Sequence, residues 1–326
     1  MKDQHGREIN YLRISITDRC NLRCQYCMPL EGTGSINHSE ILSLEEIARL
    51  AKISASLGIR KVRFTGGEPL VRRNFVQLIR YISEIPEIDD IAITTNGMLF
   101  SEQGWELKQA GLKRVNFSLD SLQSDRYRYI TRYGDLKKVQ KAVFDALEME
   151  LNPVKLNMVV IKDFNDDEVL EFANLAYYYP LHVRFIEFMP IGDIGFWGKE
   201  KVLSESIIKE RIEMEYELLP GSQRDVNGPA RQYKINGGIG SVGFIGPLTN
   251  HFCHQCNRIR LTADGKLRAC LYHRTEIDLK KPMRDGASDE ELAVFLQQGI
   301  SMKPARHYMN EGWGEENRRK MFQIGG

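Results

Sequence analysis

The chain has 326 residues, of which 42% are hydrophobic and 27% are charged, and its net charge is +1 at pH 7. This composition excludes a disordered chain, and the balanced charge argues against nucleic acid as a partner. The first residues lack the apolar core of a signal peptide, and no apolar run of about 18 residues occurs. We therefore expect no membrane span and a cytoplasmic location.

Strand-like and helix-like segments alternate over the first two thirds of the sequence. Strands are predicted at 9–18, 61–65, 90–95, 113–118, 153–161 and 182–188, and helices at 43–57, 73–84, 101–110, 135–150 and 165–178. Such alternation is typical of a parallel sheet covered by helices, with functional loops at the carboxyl ends of the strands. We predict an α/β fold, an open partial (β/α)6 barrel of the TIM type, over residues 1–215.

The pattern changes after about residue 200. Short strand-like segments at 215–219, 230–236, 241–246 and 257–263 are separated by glycine and proline, and residues 276–299 have helical character. We predict that residues 216–326 form an α+β appendage. A G-x-G-x-x-G match at 238–243 is rejected as a dinucleotide site, because the sequence on both sides is strand-like and no helix follows.

Three of the six cysteines follow the first predicted strand. Cys20, Cys24 and Cys27 have the spacing C-x3-C-x2-C. Three thiolates are one short of the four that complete a zinc or iron–sulfur site, which leaves one coordination position open for chemistry. The spacing resembles the signature of radical S-adenosylmethionine (SAM) enzymes, in which three cysteines hold a [4Fe–4S] cluster and its fourth iron chelates SAM.

The other three cysteines, Cys253, Cys256 and Cys270, have the spacing C-x2-C-x13-C in the appendage. With His273 they would form a C-x2-C…C-x2-H pattern, which is a plausible structural zinc site and is favoured on spacing alone. Without His273 the group is a second set of three thiolates with an open position. The residues leave both interpretations open.

Positively charged side chains lie on strands where apolar ones are expected. Strands of a parallel sheet are usually buried on both faces, yet the predicted strands carry the cations Arg13, Lys61, Arg63, Lys155 and Arg184. Most lysines and arginines of proteins lie on the surface. Their recurrence on several strands predicts an interior polar ligand, and arginine together with lysine suits a phosphate group.

With these motifs in view, nearly the whole chain resembles the molybdenum cofactor biosynthesis protein A family, the GTP 3′,8-cyclases. The resemblance is carried by T-D-R-C-N at 17–21, T-G-G-E-P at 65–69, T-T-N-G at 94–97, S-L-D at 118–120, the segment C-N-R-I-R at 256–260, and the final Gly325 and Gly326. Taken alone, the glycine-rich segment would be an ordinary turn between strand and helix, and the last two glycines a frayed end.

The resemblance implies a reaction. The N-terminal cluster reduces SAM, the 5′-deoxyadenosyl radical takes the C3′ hydrogen of GTP, and the C3′ radical attacks C8 of guanine. The product is 3′,8-cyclo-7,8-dihydro-GTP, which a downstream cyclic pyranopterin monophosphate synthase consumes. The resemblance also implies a second [4Fe–4S] cluster on the appendage that binds the purine, a reductant of the flavodoxin or ferredoxin type, and a monomer or homodimer.

The same resemblance assigns roles to individual residues. The cluster ligands would be the six cysteines; SAM would be held by Tyr26, Gly67, Ser118 and Met189; GTP would be held by Arg13, Lys61, Arg63, Thr94, Lys155, Arg184, Arg258 and Arg260; and catalysis would involve Arg13, Gly325 and Gly326.

Two other classes of function stay open. One is a different radical SAM enzyme with an auxiliary cluster, such as a peptide-modifying enzyme, which the cations on the strands disfavour. The other is a non-catalytic metal or electron-transfer protein, which two sites with open coordination positions disfavour.

Overall fold

The computed structural model describes residues 1–33, 38–191, 195–196, 198–221, 228–309 and 319–325. Its first part confirms the predicted alternation. In chain order the elements are β1 (Tyr11–Ser15), α1 (Leu44–Ser56), β2 (Lys61–Thr65), α2 (Phe75–Ser83), β3 (Asp90–Thr95), α3 (Phe100–Gln109), β4 (Arg114–Ser118), α4 (Ser124–Thr131), α5 (Leu136–Glu148), β5 (Val154–Val160), α6 (Val169–Tyr178) and β6 (Leu181–Glu187). Helix α4 is an addition that the periodicity of the sequence did not indicate.

Local sequence signals explain where α1 begins and which way it faces. The Ser43 side chain accepts a hydrogen bond from the Glu46 amide, and the Glu46 carboxylate accepts one from the Ser43 amide. Such a cap stabilises a helix by about 1 kcal/mol. Beyond it, Ile47, Leu50 and Ile53 are buried at helical spacing and join the core between the helices and the sheet.

The described residues of the second part of the chain form short strands and four further helices. They are α7 (Glu205–Glu213), β7 (Leu218–Pro220), β8 (Arg231–Ile235), β9 (Ser241–Ile245), β10 (Arg258–Leu261), β11 (Lys266–Arg268), β12 (Glu276–Asp278), α8 (Lys280–Arg284), α9 (Asp289–Ser301) and α10 (Met321–Ile324). The prediction that residues 276–299 are helical was wrong for the first three of them. Those residues begin as β12, and Gly286, with φ of 99°, interrupts the helical stretch between α8 and α9.

Among the described residues, one sheet of twelve strands has the order β12-β11-β10-β1-β2-β3-β4-β5-β6-β9-β8-β7. Strands β1 to β6 are parallel, β10 adds to β1 in parallel, and β9 adds to β6 in parallel. The second part of the chain therefore extends both edges of the barrel sheet. The G-x-G-x-x-G match lies at the antiparallel turn between β8 and β9, as its rejection requires.

The topology separates the two cysteine groups along the barrel. The first group follows the carboxyl end of β1, whereas Cys253 and Cys256 precede β10, whose first residue pairs with the first residue of β1. The two groups thus lie towards opposite ends of the parallel strands. In the described part of the chain, no helix combines the length and apolar character needed to cross a membrane.

Candidate functional site

A single cavity of about 390 Å³ inside the open barrel is lined by residues of both cysteine groups. It also collects the other residues that the sequence singled out, apart from His273 and the terminal glycines. The predicted residues that line it are Arg13, Cys20, Cys24, Tyr26, Cys27, Lys61, Arg63, Gly67, Thr94, Ser118, Lys155, Arg184, Met189, Cys253, Cys256, Arg258, Arg260 and Cys270. Residues far apart in sequence therefore share one site, which spans the length of the strands.

The first cysteine loop is a tight turn with thiols pointing into the cavity. The amides of Cys27 and Met28 both donate to the carbonyl oxygen of Cys24, at 2.9 and 3.0 Å. Burial raises the pKa of the Cys20 thiol to about 11 and that of Cys27 to about 12. These thiols form no disulfide and need a bound cation to ionise, which fits a metal centre.

Gly66 and Gly67 bring the loop after β2 against the cysteine loop. The Gly67 amide donates to the Thr17 carbonyl at 2.7 Å, and a Cβ added to Gly67 would overlap the carbonyl oxygen of Arg19. The close approach that requires glycine is thus between two backbone segments of the protein. Gly67 also lines the cavity, and its role in holding SAM, which the resemblance implies, stays a prediction.

Glu68 is a functional candidate that residue-by-residue prediction missed. Its buried carboxylate accepts hydrogen bonds from the Leu70 amide (3.1 Å), the Thr95 hydroxyl (2.7 Å) and the Asn96 amide (2.7 Å). Burial nevertheless dominates and raises the pKa of Glu68 to about 7. Its position inside the T-G-G-E-P segment was the available signal.

Asp120 holds the aromatic residue of the cysteine loop. The Tyr26 hydroxyl donates to Asp120 at 2.6 Å, and the Val159 amide donates to the other carboxylate oxygen at 2.9 Å. The Tyr26 ring meets Phe188 edge to face at 6.1 Å. Burial raises the pKa of Asp120 to about 6. Among the described lining residues, Glu68 and Asp120 are the carboxylates, so acidic groups occur only at this end of the cavity.

Two rows of cations cross three adjacent strands. Strand register aligns Arg260, Arg13 and Arg63 on β10, β1 and β2, and two residues earlier on the same strands it aligns Arg258 and Lys61 on either side of β1. Side chains two residues apart on a strand share a face, so all five point to the same side of the sheet. We call these five residues the cation rows.

Burial and mutual repulsion disfavour the charged forms of arginines in the cation rows. Burial, with Arg260 and Arg63 nearby, lowers the pKa of Arg13 well below its usual value, and burial followed by Arg258 lowers that of Arg260 to about 10. Nε of Arg63 and the hydroxyl of Thr94 are buried without a hydrogen-bond partner among the described residues. Lys155 and Arg184 add two more buried cations from β5 and β6. A polyanion between these walls would satisfy both the charge and the unpaired polar atoms.

The second cysteine group is held by a buried lysine that the sequence did not single out. Lys303 is 2% exposed and donates to the carbonyl oxygens of Arg258 and Ala269, at 2.8 and 2.7 Å. These carbonyls flank Cys256 and Cys270 in the chain. Burial raises the pKa of Cys256, but Arg258 and Lys303 outweigh it and bring the value down to about 6. A lone lysine after a helix gave no signal in sequence.

The structure does not bring His273 into the second cysteine group as a ligand. Instead Nδ1 of His273 accepts a hydrogen bond from the Thr275 amide at 3.3 Å. Among the described residues, His251, Cys253 and His307 form the only group of three metal-binding side chains whose donor atoms lie within 4.8 Å of one another.

The end of the chain enters the cavity wall. Arg319 pairs with Asp264 at 2.8 Å and with Glu276 at 2.6 Å, just before α10. Within α10 the Phe322 amide donates to Cys27, and after it the Gly325 carbonyl accepts from Arg260. Gly326, which the sequence also singled out, lies outside the described residues.

Two protein-family models match the chain. The Radical SAM superfamily model matches residues 14–176, and the Molybdenum Cofactor Synthesis C model matches residues 181–309. Curated relatives are similar over the whole length. The protein named GTP 3′,8-cyclase from Syntrophomonas wolfei is 60% identical and that from Moorella thermoacetica is 54% identical, each over 326 residues that cover 100% of both chains.

Solved structures share the fold at low sequence identity. The crystal structure of Streptococcus suis SuiB has a TM-score of 0.62 at 14% identity and covers 98% of this chain and 78% of that one. SuiB bound to the precursor peptide SuiA has a TM-score of 0.63, also at 14% identity, with 98% and 77% covered. This likeness shows a common fold and carries no information about the ligand.

Proposed function

The chain belongs to the GTP 3′,8-cyclase family of the radical SAM superfamily, and from this premise we propose how its cavity works. The protein is an enzyme, a lyase of molybdenum cofactor biosynthesis that cyclises GTP to 3′,8-cyclo-7,8-dihydro-GTP. The observation that carries the proposal is one cavity that joins a cysteine triad, a set of buried cations and a second cysteine triad.

The first triad fits a [4Fe–4S] cluster. Its three thiols converge on the cavity and leave one cluster position for SAM. When bound, the cluster and SAM supply a carbon radical able to take hydrogen from an unactivated C–H bond. Tyr26, Gly67, Ser118 and Met189 line this end and would hold SAM, while Asp120 fixes the Tyr26 hydroxyl.

A second [4Fe–4S] cluster is proposed at Cys253, Cys256 and Cys270. All three cysteines line the cavity, whereas His273 is not among its lining residues. The group therefore offers three thiolates and leaves one coordination position open, which suits a cluster better than a closed structural zinc site. We propose that its open iron position faces the guanine end of GTP.

The cation rows would hold the triphosphate, together with Thr94 on the neighbouring strand β3 and Lys155 and Arg184 on β5 and β6. They lie between the two triads, so a nucleotide held there has one end near each cysteine group. These residues bind and orient the substrate and close it off from water, which protects a radical from side reactions. Arg13 is central in its row, and with Gly325 it is proposed to position the reacting ribose.

Two protein partners complete the proposal. A low-potential reductant of the flavodoxin or ferredoxin type supplies electrons, and a cyclic pyranopterin monophosphate synthase takes the product. The six free cysteines suit a reducing cytoplasm.

Product analysis tests the function. Reconstituted protein is incubated anaerobically with GTP, SAM and dithionite. The nucleotides are then separated by chromatography and identified by mass spectrometry. The expected products are the cyclised nucleotide and 5′-deoxyadenosine, and both disappear in the Cys24→Ala variant. SAM cleavage without any cyclised nucleotide would contradict the proposal and favour a different substrate.

A further inference from the structure

The proposed function, on which this inference rests, requires an electron to reach the first cysteine triad from outside the protein. The cavity side of the triad faces the SAM and GTP sites and the Phe322 amide. Electron transfer weakens steeply with distance, so a protein carrier has to dock where little polypeptide separates solvent from the triad. The outer side of the cysteine loop is therefore the place to examine.

The end of helix α4 covers that outer side. The amides of Arg23 and Gln25 donate to the carbonyls of Thr131 and Ile130, at 3.1 and 2.9 Å. Arg132 adds hydrogen bonds to the carbonyls of Arg23 and Met28, both at 3.1 Å. The helix end and the cysteine loop are thus joined through their backbones, so one layer of polypeptide lies between the triad and the side chains that α4 presents to solvent.

Those side chains are aromatic and basic. Tyr129 is 59% exposed and Tyr133 is 55% exposed, and Arg128, directly before Tyr129 in sequence, is exposed as well. We call Arg128, Tyr129, Arg132 and Tyr133 the α4 face. Exposed tyrosine and arginine together are the composition that protein interfaces favour.

The charge of the α4 face is positive. Arg126, on the inner side, is neutralised by Asp167 at 2.7 Å and Glu168 at 2.6 Å. Arg128 has no ion pair among the described residues, and Asp125 at the start of α4 is the one carboxylate on that helix. Ion pairs thus explain the presence of Arg126, whereas no ion pair explains that of Arg128.

We propose that the α4 face is the docking surface for an acidic one-electron carrier protein. One electron from the carrier would cross the cysteine loop and be consumed when the S–C5′ bond of SAM breaks, releasing methionine. The remaining radical fragment would take hydrogen from GTP to give 5′-deoxyadenosine. The cyclised nucleotide radical would then need one further carrier electron and one proton to become the dihydro product. Charge attraction steers the carrier to the surface, and the two tyrosines supply the apolar contact.

The test compares a protein carrier with a small reductant. Arg128→Glu is made in the full-length, cluster-loaded protein, with Arg80→Glu as control, since both arginines are exposed and lie in the last turn of a helix. SAM cleavage is measured with photoreduced flavodoxin at several concentrations and, separately, with dithionite. Arg128→Glu is expected to lower kcat/KM for flavodoxin about tenfold and to flatten its dependence on salt. Dithionite-driven cleavage and the Arg80→Glu variant stay at the wild-type level.

A second variant guards against a local folding defect. Tyr129→Ser keeps the charge and is expected to raise KM for flavodoxin while leaving dithionite-driven cleavage unchanged. Wild-type flavodoxin kinetics in both variants would overturn the docking surface, and so would an equal loss with dithionite. If the wild-type protein cleaves no SAM even with dithionite, the proposed function fails, and this inference falls with it.

Discussion

At the scale of single residues, Arg63 illustrates how the cavity depends on its ligand. It is buried beside Arg13 in the adjacent strand, its guanidinium lies 5.4 Å from the centre of the Tyr11 ring, and its Nε has no hydrogen-bond partner in the described part of the chain. Buried like charges destabilise a protein by several kcal/mol unless an anion compensates them. The residue is therefore better explained by a bound polyanion than by stability of the empty protein.

Arg63→Gln separates these two roles. The change removes one charge-assisted contact to the triphosphate, worth about 1.5–3 kcal/mol, so GTP should bind roughly 10- to 150-fold more weakly. The Tm of the ligand-free protein should rise, because one of several repelling charges is gone. Calorimetric GTP binding and thermal unfolding check both effects. Arg60→Gln, an exposed arginine just before β2, is the control, and an unchanged affinity in Arg63→Gln would remove it from the substrate site.

Lys303→Met tests the support of the second triad. Methionine fills a similar space but leaves the carbonyls of Arg258 and Ala269 without their donor, so the loops that carry Cys256 and Cys270 should separate. Iron after anaerobic reconstitution is expected to fall from about eight to about four atoms per chain, with SAM cleavage retained. The exposed Lys281→Met serves as control. Full iron content in Lys303→Met would show that the lysine does not organise this site.

At the scale of elements, α10 is four residues long and depends on its surroundings. A helix this short is not stable by itself. Arg319 anchors its start to Asp264 and Glu276, and Arg260 binds the carbonyl of Gly325 at its end. The element is thus held by side chains of the appendage and of the cation rows, which brings the end of the chain to the substrate site.

Gly325→Ala should disturb this arrangement without affecting the clusters. Gly325 has φ of 76°, and a Cβ there would collide with the Thr65 hydroxyl. Gly6 has the same φ of 76° with nothing within 4 Å of an added Cβ, so Gly6→Ala controls for backbone strain alone. Iron content and GTP binding should stay near wild type, while the rate of cyclised product falls about 100-fold through misplacement of the reacting groups. A wild-type rate of product formation in Gly325→Ala would show that the C-terminal glycines have no role in the reaction.

The elements also show how far sequence reasoning reaches. Alternating βα units were predicted because buried strands and amphipathic helices leave strong periodic signals, and β2 was located to the residue. Helix α4 was missed because Ser124–Thr131 is mostly polar and has little apolar periodicity. Strands β11 and β12 have three residues each, too few for a pattern, and they form only because β10 offers an edge.

The site shows the same division. The metal-binding cysteines and the ligand-binding cations were predicted from the sequence, because closely spaced cysteines and charged residues on buried strands are both unusual. Lys303 gave no sequence signal, and Asp120 was assigned no role although it stands in the S-L-D segment. Both roles depend on carbonyls and hydroxyls that only the fold brings near. Sequence spacing favoured His273 as a zinc ligand, whereas in the structure it bonds the Thr275 amide.

At the scale of the whole molecule, the sheet sets the two triads apart along one cavity. Strands from the second part of the chain extend both edges, so the cation rows combine β1 and β2 with β10. The division predicted between residues 215 and 216 stays a prediction. What the shared sheet provides is a fixed spacing between the two cysteine groups.

Metal content tests this architecture. Two [4Fe–4S] clusters predict about eight iron atoms per chain with little zinc, whereas a zinc site at the second triad predicts about four iron and one zinc. Elemental analysis after anaerobic reconstitution distinguishes these results. His273→Ala is expected to leave the iron content unchanged, and a loss of the C-terminal metal in that variant would favour zinc.

The most direct test of the account uses GTP that carries deuterium at C3′. If SAM and GTP share one cavity as proposed, the radical formed from SAM takes its hydrogen atom from the bound nucleotide. Incubation with unlabelled SAM and dithionite should then yield 5′-deoxyadenosine with one deuterium, together with a cyclised nucleotide that has lost its label. Unlabelled 5′-deoxyadenosine alongside GTP that keeps its deuterium would contradict the account, because it would mean that the two ligands do not meet in this cavity.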